Sequence, residues 1–555
     1  MNDEHRMDRR SFLASTAAGA LAMPAIWTPS RTEAAELATV KIEPGTLQGL
    51  RVDGAVSFKG IPYAADTGGA NRFMAPRPVP NWRGARVCFQ FGDRSPQVEG
   101  LPREDALAWY NQDSGISENC CVLNVYTPDL NSAARRPVMF YIHGGGYRSG
   151  GSGGPALEGG NLAKFGDVVV VTMNHRLNVL GYLHLGHLDP AFADSANAGQ
   201  LDILAALNWV KTNIGAFGGD PGKVTVFGQS GGGSKITALM VMPGARGLFH
   251  RAINMSGVTS YSMQTAQSRE AVAAEVLKEL AIGRADLRKI QQVPYALLSA
   301  AHDKATRLLA TDDYRAVIDG RHILAGPLTP EGLAVNAEVP LIVGSTETEA
   351  SAWLGRDRRN ATISEVQLKS RVRDQFKFDD AKVDQVIGGY RKDDPGRSPY
   401  QVLVAIATDA LFRGRMLRGV DAKANAGKAP VYVYNFAWKS PVDNGIWLAP
   451  HTADIPFAFG TMDIAKTMTG NDPSAAEVSR SLMSAFVAFA RTGDPNHPGI
   501  PAWKPYDTAS RPTMVVKQPC RLVNDYLGAD RVASQAILHQ ESYEILAGPL
   551  FAYKA

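Results

Sequence analysis

The stretch that most limits what this chain can become is Lys223-Val224-Thr225-Val226-Phe227 followed by Gly228-Gln229-Ser230-Gly231-Gly232. The first five residues are too β-branched and too few for a helix, and read as a buried strand. The glycines after them relieve crowding in a sharp turn, and a helical run is expected from near Lys235. Gly-x-Ser-x-Gly between a strand and a helix is a nucleophile elbow, a strained turn that leaves a serine hydroxyl exposed. Gly233-Ser234-Lys235 reverses the Gly-Lys-Ser/Thr order of a phosphate-binding loop, which sets a nucleotide site aside.

The surrounding chain has the same organisation. Val138 to Ile142, Val168 to Thr172, Val339 to Val343 and Val431 to Phe436 are short apolar runs that read as buried strands. Between Gly199 and Ile214, the residues Ile203, Ala206, Leu207, Val210 and Ile214 fall on one helical face. Strands alternating with helices predict an α/β protein whose mostly parallel sheet is covered on both sides and binds ligands at the carboxyl ends of its strands. Of the 555 residues 45% are hydrophobic and 20% charged, enough for a large core, and no repeat or low-complexity linker divides the chain. One large domain, residues 36–555, is expected.

Lys+Arg exceed Asp+Glu by 58 − 54 = 4 charges, spread thinly, so no polyanion partner and no nucleic acid is implied. Cys88, Cys120, Cys121 and Cys520 are too few for a disulfide scaffold and form no paired C-x-x-C of a zinc or redox site. His184-x-x-His187 offers two imidazoles without a third ligand in the sequence around it, so no metal and no cofactor is expected.

Arg9-Arg10-Ser11-Phe12-Leu13 precedes an uncharged, mostly apolar run to Trp27 and the small residues Ala34-Ala35. Twin arginines, a short apolar region and a small-residue cleavage zone read as a twin-arginine export signal over residues 1–35. Its partner would be the twin-arginine translocase, and the folded product would be periplasmic or secreted. No later stretch is long and apolar enough to span a bilayer.

A serine hydroxyl needs a base, and the base an acid to hold its tautomer. On this type of sheet the chain order is serine, acid, histidine. Ser345-Thr346-Glu347-Thr348-Glu349 follows the strand near Gly344 and supplies the acid, with Glu347 and Glu349 equally placed. Of the histidines beyond it, His497 sits in a Gly-Asp-Pro-Asn turn and His539 in a late segment with surface neighbours. His451 lies in a loop beyond the strand ending near Trp438, and is the expected base. His143-Gly144-Gly145-Gly146-Tyr147 follows another strand, where backbone N–H groups can converge on an oxyanion together with the N–H of Gly231.

These residues resemble the type-B carboxylesterases, the group that includes cholinesterases and para-nitrobenzyl esterases. The match runs from about Phe58 to Tyr506 through Phe58 to Ala64, Arg72-Phe73, Glu118 to Val125, His143 to Tyr147, Asn174 to Leu177, Phe217 to Pro221, the serine elbow and His451 to Gly460. The resemblance implies an α/β-hydrolase fold and ester hydrolysis through an acyl-enzyme. It implies Ser230 as nucleophile, Glu349 rather than Glu347 as acid, His451 as base, Gly145, Gly146 and Gly231 as oxyanion donors, and an ion pair between Arg72 and Glu118. It also marks departures. Ser95 stands where the family often has the first cysteine of a disulfide, leaving Cys88 with Cys120 or Cys121 as the remaining pairing. Gln229 stands where Glu is usual, which argues against choline esters. Leu101 to Ser117, with Trp109 and Tyr110, could cover the site or pack on the body. Amide, carbamate or aromatic-diester hydrolysis is the alternative activity, and a noncatalytic binding protein the rival from another class.

Overall fold

Alternation of buried side chains along each strand sorts the core into two layers. In the computed structural model, which describes residues 36–97, 105–112, 114–257, 263–311, 314–540 and 542–552, Val138, Phe140 and Ile142 belong to one apolar cluster and Met139 and Tyr141 to another. Every residue of this strand is buried, as expected for a strand covered on both faces.

The strands are β1 (Glu36–Ile42), β2 (Gly45–Val52), β3 (Ala55–Pro62), β4 (Ala85–Val87) and β5 (Val122–Thr127). Then follow β6 (Arg136–Ile142), β7 (Val169–Met173), β8 (Gly219–Gln229), β9 (Arg251–Met255), β10 (Gln264–Thr265) and β11 (Val317–Ile318). The last are β12 (Leu341–Thr346), β13 (Val431–Phe436), β14 (Pro512–Val516) and β15 (Arg521–Asn524). Across the main sheet the order is β1-β2-β3-β5-β7-β6-β8-β9-β12-β13-β14-β15, with β4 beside β2, while β10 and β11 pair separately. From β7 to β14 every neighbour is parallel. Antiparallel β5 and the pairs β1/β2 and β14/β15 complete its edges.

The strands read from sequence are present, with β12 beginning two residues later than expected, β6 two residues earlier and β8 four residues earlier. The helix Ala198–Asn213 buries Ile203, Ala206, Leu207 and Val210 as its periodicity required. A helix boundary differs as well: the helix after β8 starts at Gly231, not near Lys235. Helix propensity argues against three consecutive glycines there, but packing overrides it. A Cβ on Gly231 would stand 2.0 Å from the Gly146 carbonyl oxygen, and one on Gly232 1.9 Å from that of Ile142.

β6 is flanked by β7 on one side and β8 on the other, so successive connections leave it in opposite directions. That divergence opens a crevice at the carboxyl ends of β6 and β8, where His143 to Tyr147 and Ser230 lie. Among the described residues, no helix is long and apolar enough to cross a membrane. The twin-arginine segment lies outside the described residues.

Two features implied by the resemblance can be compared directly. Arg72 and Glu118 form the expected ion pair, with Arg72 Nε donating to Glu118 Oε2 at 2.7 Å. No disulfide forms: Cys88, Cys120 and Cys121 are buried free thiols and Cys520 is half-buried. The Lys59 N–H donates to the Cys88 carbonyl and the Tyr63 N–H to that of Cys121.

Candidate active site

Ser230 occupies the tip of the turn between β8 and its helix with φ 55° and ψ −121°. A non-glycine residue holds such a conformation only when its surroundings impose it. Here its own N–H donates to the Met255 carbonyl at 2.7 Å, and the two glycines after it are wedged beneath the β6 loop. Because Gly231 is the first helical residue, its N–H lacks an intrahelical acceptor and faces outward at the positive end of the helix. Gly145 and Gly146 both have positive φ, 88° and 63°, which lets the loop fold over the helix start. Tyr110 Oη accepts the Gly144 N–H at 2.9 Å and steadies the same loop.

Beneath this loop lies a feature the sequence reading did not single out. Lys235 is fully buried, and its ammonium donates to the Gly146 carbonyl at 2.6 Å and sits 4.8 Å from the Tyr147 ring centre. Burial pulls its pKa down to about 7. His143 stacks on His175 at 4.7 Å. Burial, with Lys235 nearby, lowers His143 to about 3. His143 is therefore neutral, and serves as packing behind the glycines. Arg176, adjoining His175, clamps the buried Asp202 through Nε at 2.9 Å and Nη2 at 2.6 Å, anchoring the loop after β7.

The acid and the histidine meet. Glu349 is completely buried beyond β12, and its Oε2 lies 2.5 Å from His451 Nδ1. Its Oε1 accepts the Thr346 N–H at 2.8 Å and the Ser256 hydroxyl at 2.6 Å. The choice left open between the two glutamates is decided by direction: Glu347 turns away, accepting the Tyr526 hydroxyl at 2.5 Å and lying 3.4 Å from Lys439. The remaining late histidines are engaged elsewhere, His497 with the Ser481 carbonyl and His539 with that of Ala536.

Two aromatic rings pack against His451, Phe412 at 4.6 Å and Trp353 at 5.2 Å, and they stack on each other at 5.9 Å. Phe412 is carried by a π-helical stretch, Asp409–Arg413, an irregularity that often marks functional positions. With Nδ1–H directed at Glu349, Nε2 is left as the acceptor. The Gln229 amide nitrogen, from the residue before Ser230, lies against the ring, 3.3 Å from Nε2 and 3.5 Å from Nδ1.

A second carboxyl, Asp454, lies buried nearby and accepts the Tyr434 hydroxyl at 2.7 Å. Burial raises it to about 7, against the pull of that hydrogen bond. Of the supporting residues, Asp454 was visible as part of the His451 motif. Ser256, Lys235, Trp353 and Phe412 carry no local signal, since only tertiary proximity gives them a part.

A cavity of about 370 Å³ opens over Gly145 and His451, walled by Leu107, Tyr110, Ala352 and Trp353, with Arg94 and Arg356 at its polar side. Of the segment that could cover the site, Tyr110 lines the cavity while Trp109 is packed in the core.

The carboxylesterase family profile matches residues 36–534. Para-nitrobenzyl esterase of Bacillus subtilis (strain 168) is 31% identical over 498 residues, covering 88% of this chain and 96% of that protein. Phenmedipham hydrolase of Pseudarthrobacter oxydans is 30% identical, covering 89% and 98%. Among solved structures, an esterase from Clostridium hathewayi that can hydrolyse aliphatic aromatic polyesters superimposes with a TM-score of 0.77 at 33% identity, covering 91% of this chain and 99% of that one. A strand-helix elbow at a topological switch point, a buried carboxylate on an imidazole and this likeness along nearly the whole chain lead to one conclusion: the protein belongs to the carboxylesterase family and is a carboxylic ester hydrolase with the α/β-hydrolase fold.

Proposed function

We propose that Ser230 attacks the ester carbonyl, that His451 takes its proton at Nε2 and returns it to the departing alcohol, and that Glu349 holds the imidazole in the tautomer this requires. The N–H groups of Gly145, Gly146 and Gly231 receive the developing oxyanion, each worth roughly 2.7–4 kcal/mol of barrier. Water then repeats the sequence on the acyl-enzyme. The observation that carries this reading is the buried Glu349–His451 contact, made with the ring lying against Gln229, the residue before Ser230. In the resting site the Gln229 amide lies against the ring; the serine hydroxyl donates to Nε2 when substrate fills the cavity, as catalytic hydrogen bonds commonly tighten on binding.

Leu107, Tyr110 and Trp353 make the cavity apolar and aromatic, and Gln229 brings no carboxylate to it. Both features favour neutral esters with an aryl group over choline esters. Hydrolysis of aromatic diesters by the same attack is the second reading, favoured by the likeness to the Clostridium hathewayi esterase. A fluorophosphonate probe tests the assignment: it should label the protein stoichiometrically, with the adduct on the peptide containing Ser230. An unreactive folded protein, or an adduct on another residue, would refute it.

We further propose that residues 1–35 are a twin-arginine export signal and residues 36–555 one catalytic domain acting in the periplasm or outside the cell. Arg9-Arg10 and the apolar run after them support this, as does the start of the family match at residue 36. Replacing Arg9 and Arg10 together by lysine should leave the esterase in the cytoplasm of a bacterial host. Unchanged export of the twin-lysine variant would overturn the assignment.

A further inference from the structure

The fold supplies what the sequence around His184-x-x-His187 lacked, a third ligand. The two histidines lie in the loop after the short helix Asn178–Tyr182, and Glu270 reaches them from the helix Ala266–Glu279. One ligand atom from each of the three residues lies within 4.8 Å of the others, and His184 Nε2 stands 3.9 Å from Glu270 Oε1. That distance is too long for a hydrogen bond.

Neither ring has another explanation among the described residues. His184 is 8% exposed, and the Nδ1 atoms of both histidines are buried without a hydrogen-bond partner. Buried polar atoms are rarely left so. The rings are tilted 42° with centres 5.2 Å apart, so they do not hydrogen-bond to each other or stack face to face. Asp319 adds negative charge on the His184 side, while Arg284 opposes it near His187.

We propose that His184, His187 and Glu270 bind one divalent transition cation of the zinc class. Two imidazoles and a carboxylate are the donor set such ions take, with a fourth position left to water. In a tetrahedral site with bonds of about 2.0–2.1 Å, neighbouring ligand atoms stand about 3.3 Å apart. Closing the three donors from within 4.8 Å of one another needs rotation of the Glu270 side chain and a shift of the His187 loop. The ion would tie that loop to the helix Ala266–Glu279, with no part in the chemistry at Ser230.

Tag-free protein stripped with a chelator provides the test. Co²⁺ should bind in one equivalent with visible absorption bands of nitrogen and carboxylate ligation, and Zn²⁺ should displace it and raise the melting temperature. Glu270→Ala and His187→Ala, at positions exposed and half-buried, should fold, retain ester hydrolysis and bind Co²⁺ at least ~10-fold more weakly. No stoichiometric Co²⁺ binding by the wild-type protein, or equal binding by wild type and both variants, would overturn the proposal.

Discussion

Ser230→Ala should lower kcat for a short-chain nitrophenyl ester by on the order of 10⁶, and Glu349→Gln by on the order of 10⁴, with KM little changed in either. The serine substitution removes the atom that forms the acyl bond, leaving only the cradle of N–H groups and the binding cavity. The glutamate effect follows from the hydrogen bonds around its carboxylate. Oε1 faces the Thr346 N–H, a donor that cannot reverse, and the Ser256 hydroxyl. A glutamine must place its carbonyl oxygen there, so its NH₂ faces His451 Nδ1. That nitrogen must then accept, the ring proton moves to Nε2, and the imidazole can no longer take a proton from Ser230. Initial rates on both variants, with melting curves to verify folding, check this. A Glu349→Gln enzyme within tenfold of wild type would exclude the proposed role of Glu349.

The second large effect concerns stability rather than rate. Burial raises the Asp454 carboxyl to about 7 in the folded chain, against an ordinary value near ~3.9. Between those limits the folded state holds a proton that the unfolded state has released, so stability falls as pH rises from about 4 to about 7 and is level beyond. Asp454→Asn imitates the protonated side chain. It can keep the acceptor for the Tyr434 hydroxyl and removes the cost of burying the charge. The variant should gain relative to wild type as pH rises, by on the order of 4 kcal/mol at most above pH 7. The difference in unfolding free energy between the two proteins, followed from pH 4.5 to 8, isolates this group. A difference independent of pH would show that Asp454 is ionised throughout that range.

The strands near the site were legible because they are buried on both faces, which leaves unbroken β-branched runs such as Val168 to Val171. The helix Ala198–Asn213 was legible because Ile203, Ala206, Leu207 and Val210 repeat at helical spacing and all meet the core. The Gly231 helix start was not, since a triple glycine opposes helix in isolation and only the approach of the Gly146 and Ile142 carbonyls explains it.

Local pattern by itself determined Ser230, the glycine loop and the class of fold, because each is encoded within a few adjacent residues whose backbone conformation dictates their type. It also limited the acid to two residues and favoured one histidine. What the tertiary structure decided is direction: which carboxylate turns inward, that Ser256 and Thr346 hold it, that Phe412 and Trp353 pack against the imidazole, and that the cysteines stay free thiols. Those contacts join segments far apart in the chain, and their energies depend on distance and burial, which exist only once the sheet has brought the segments together.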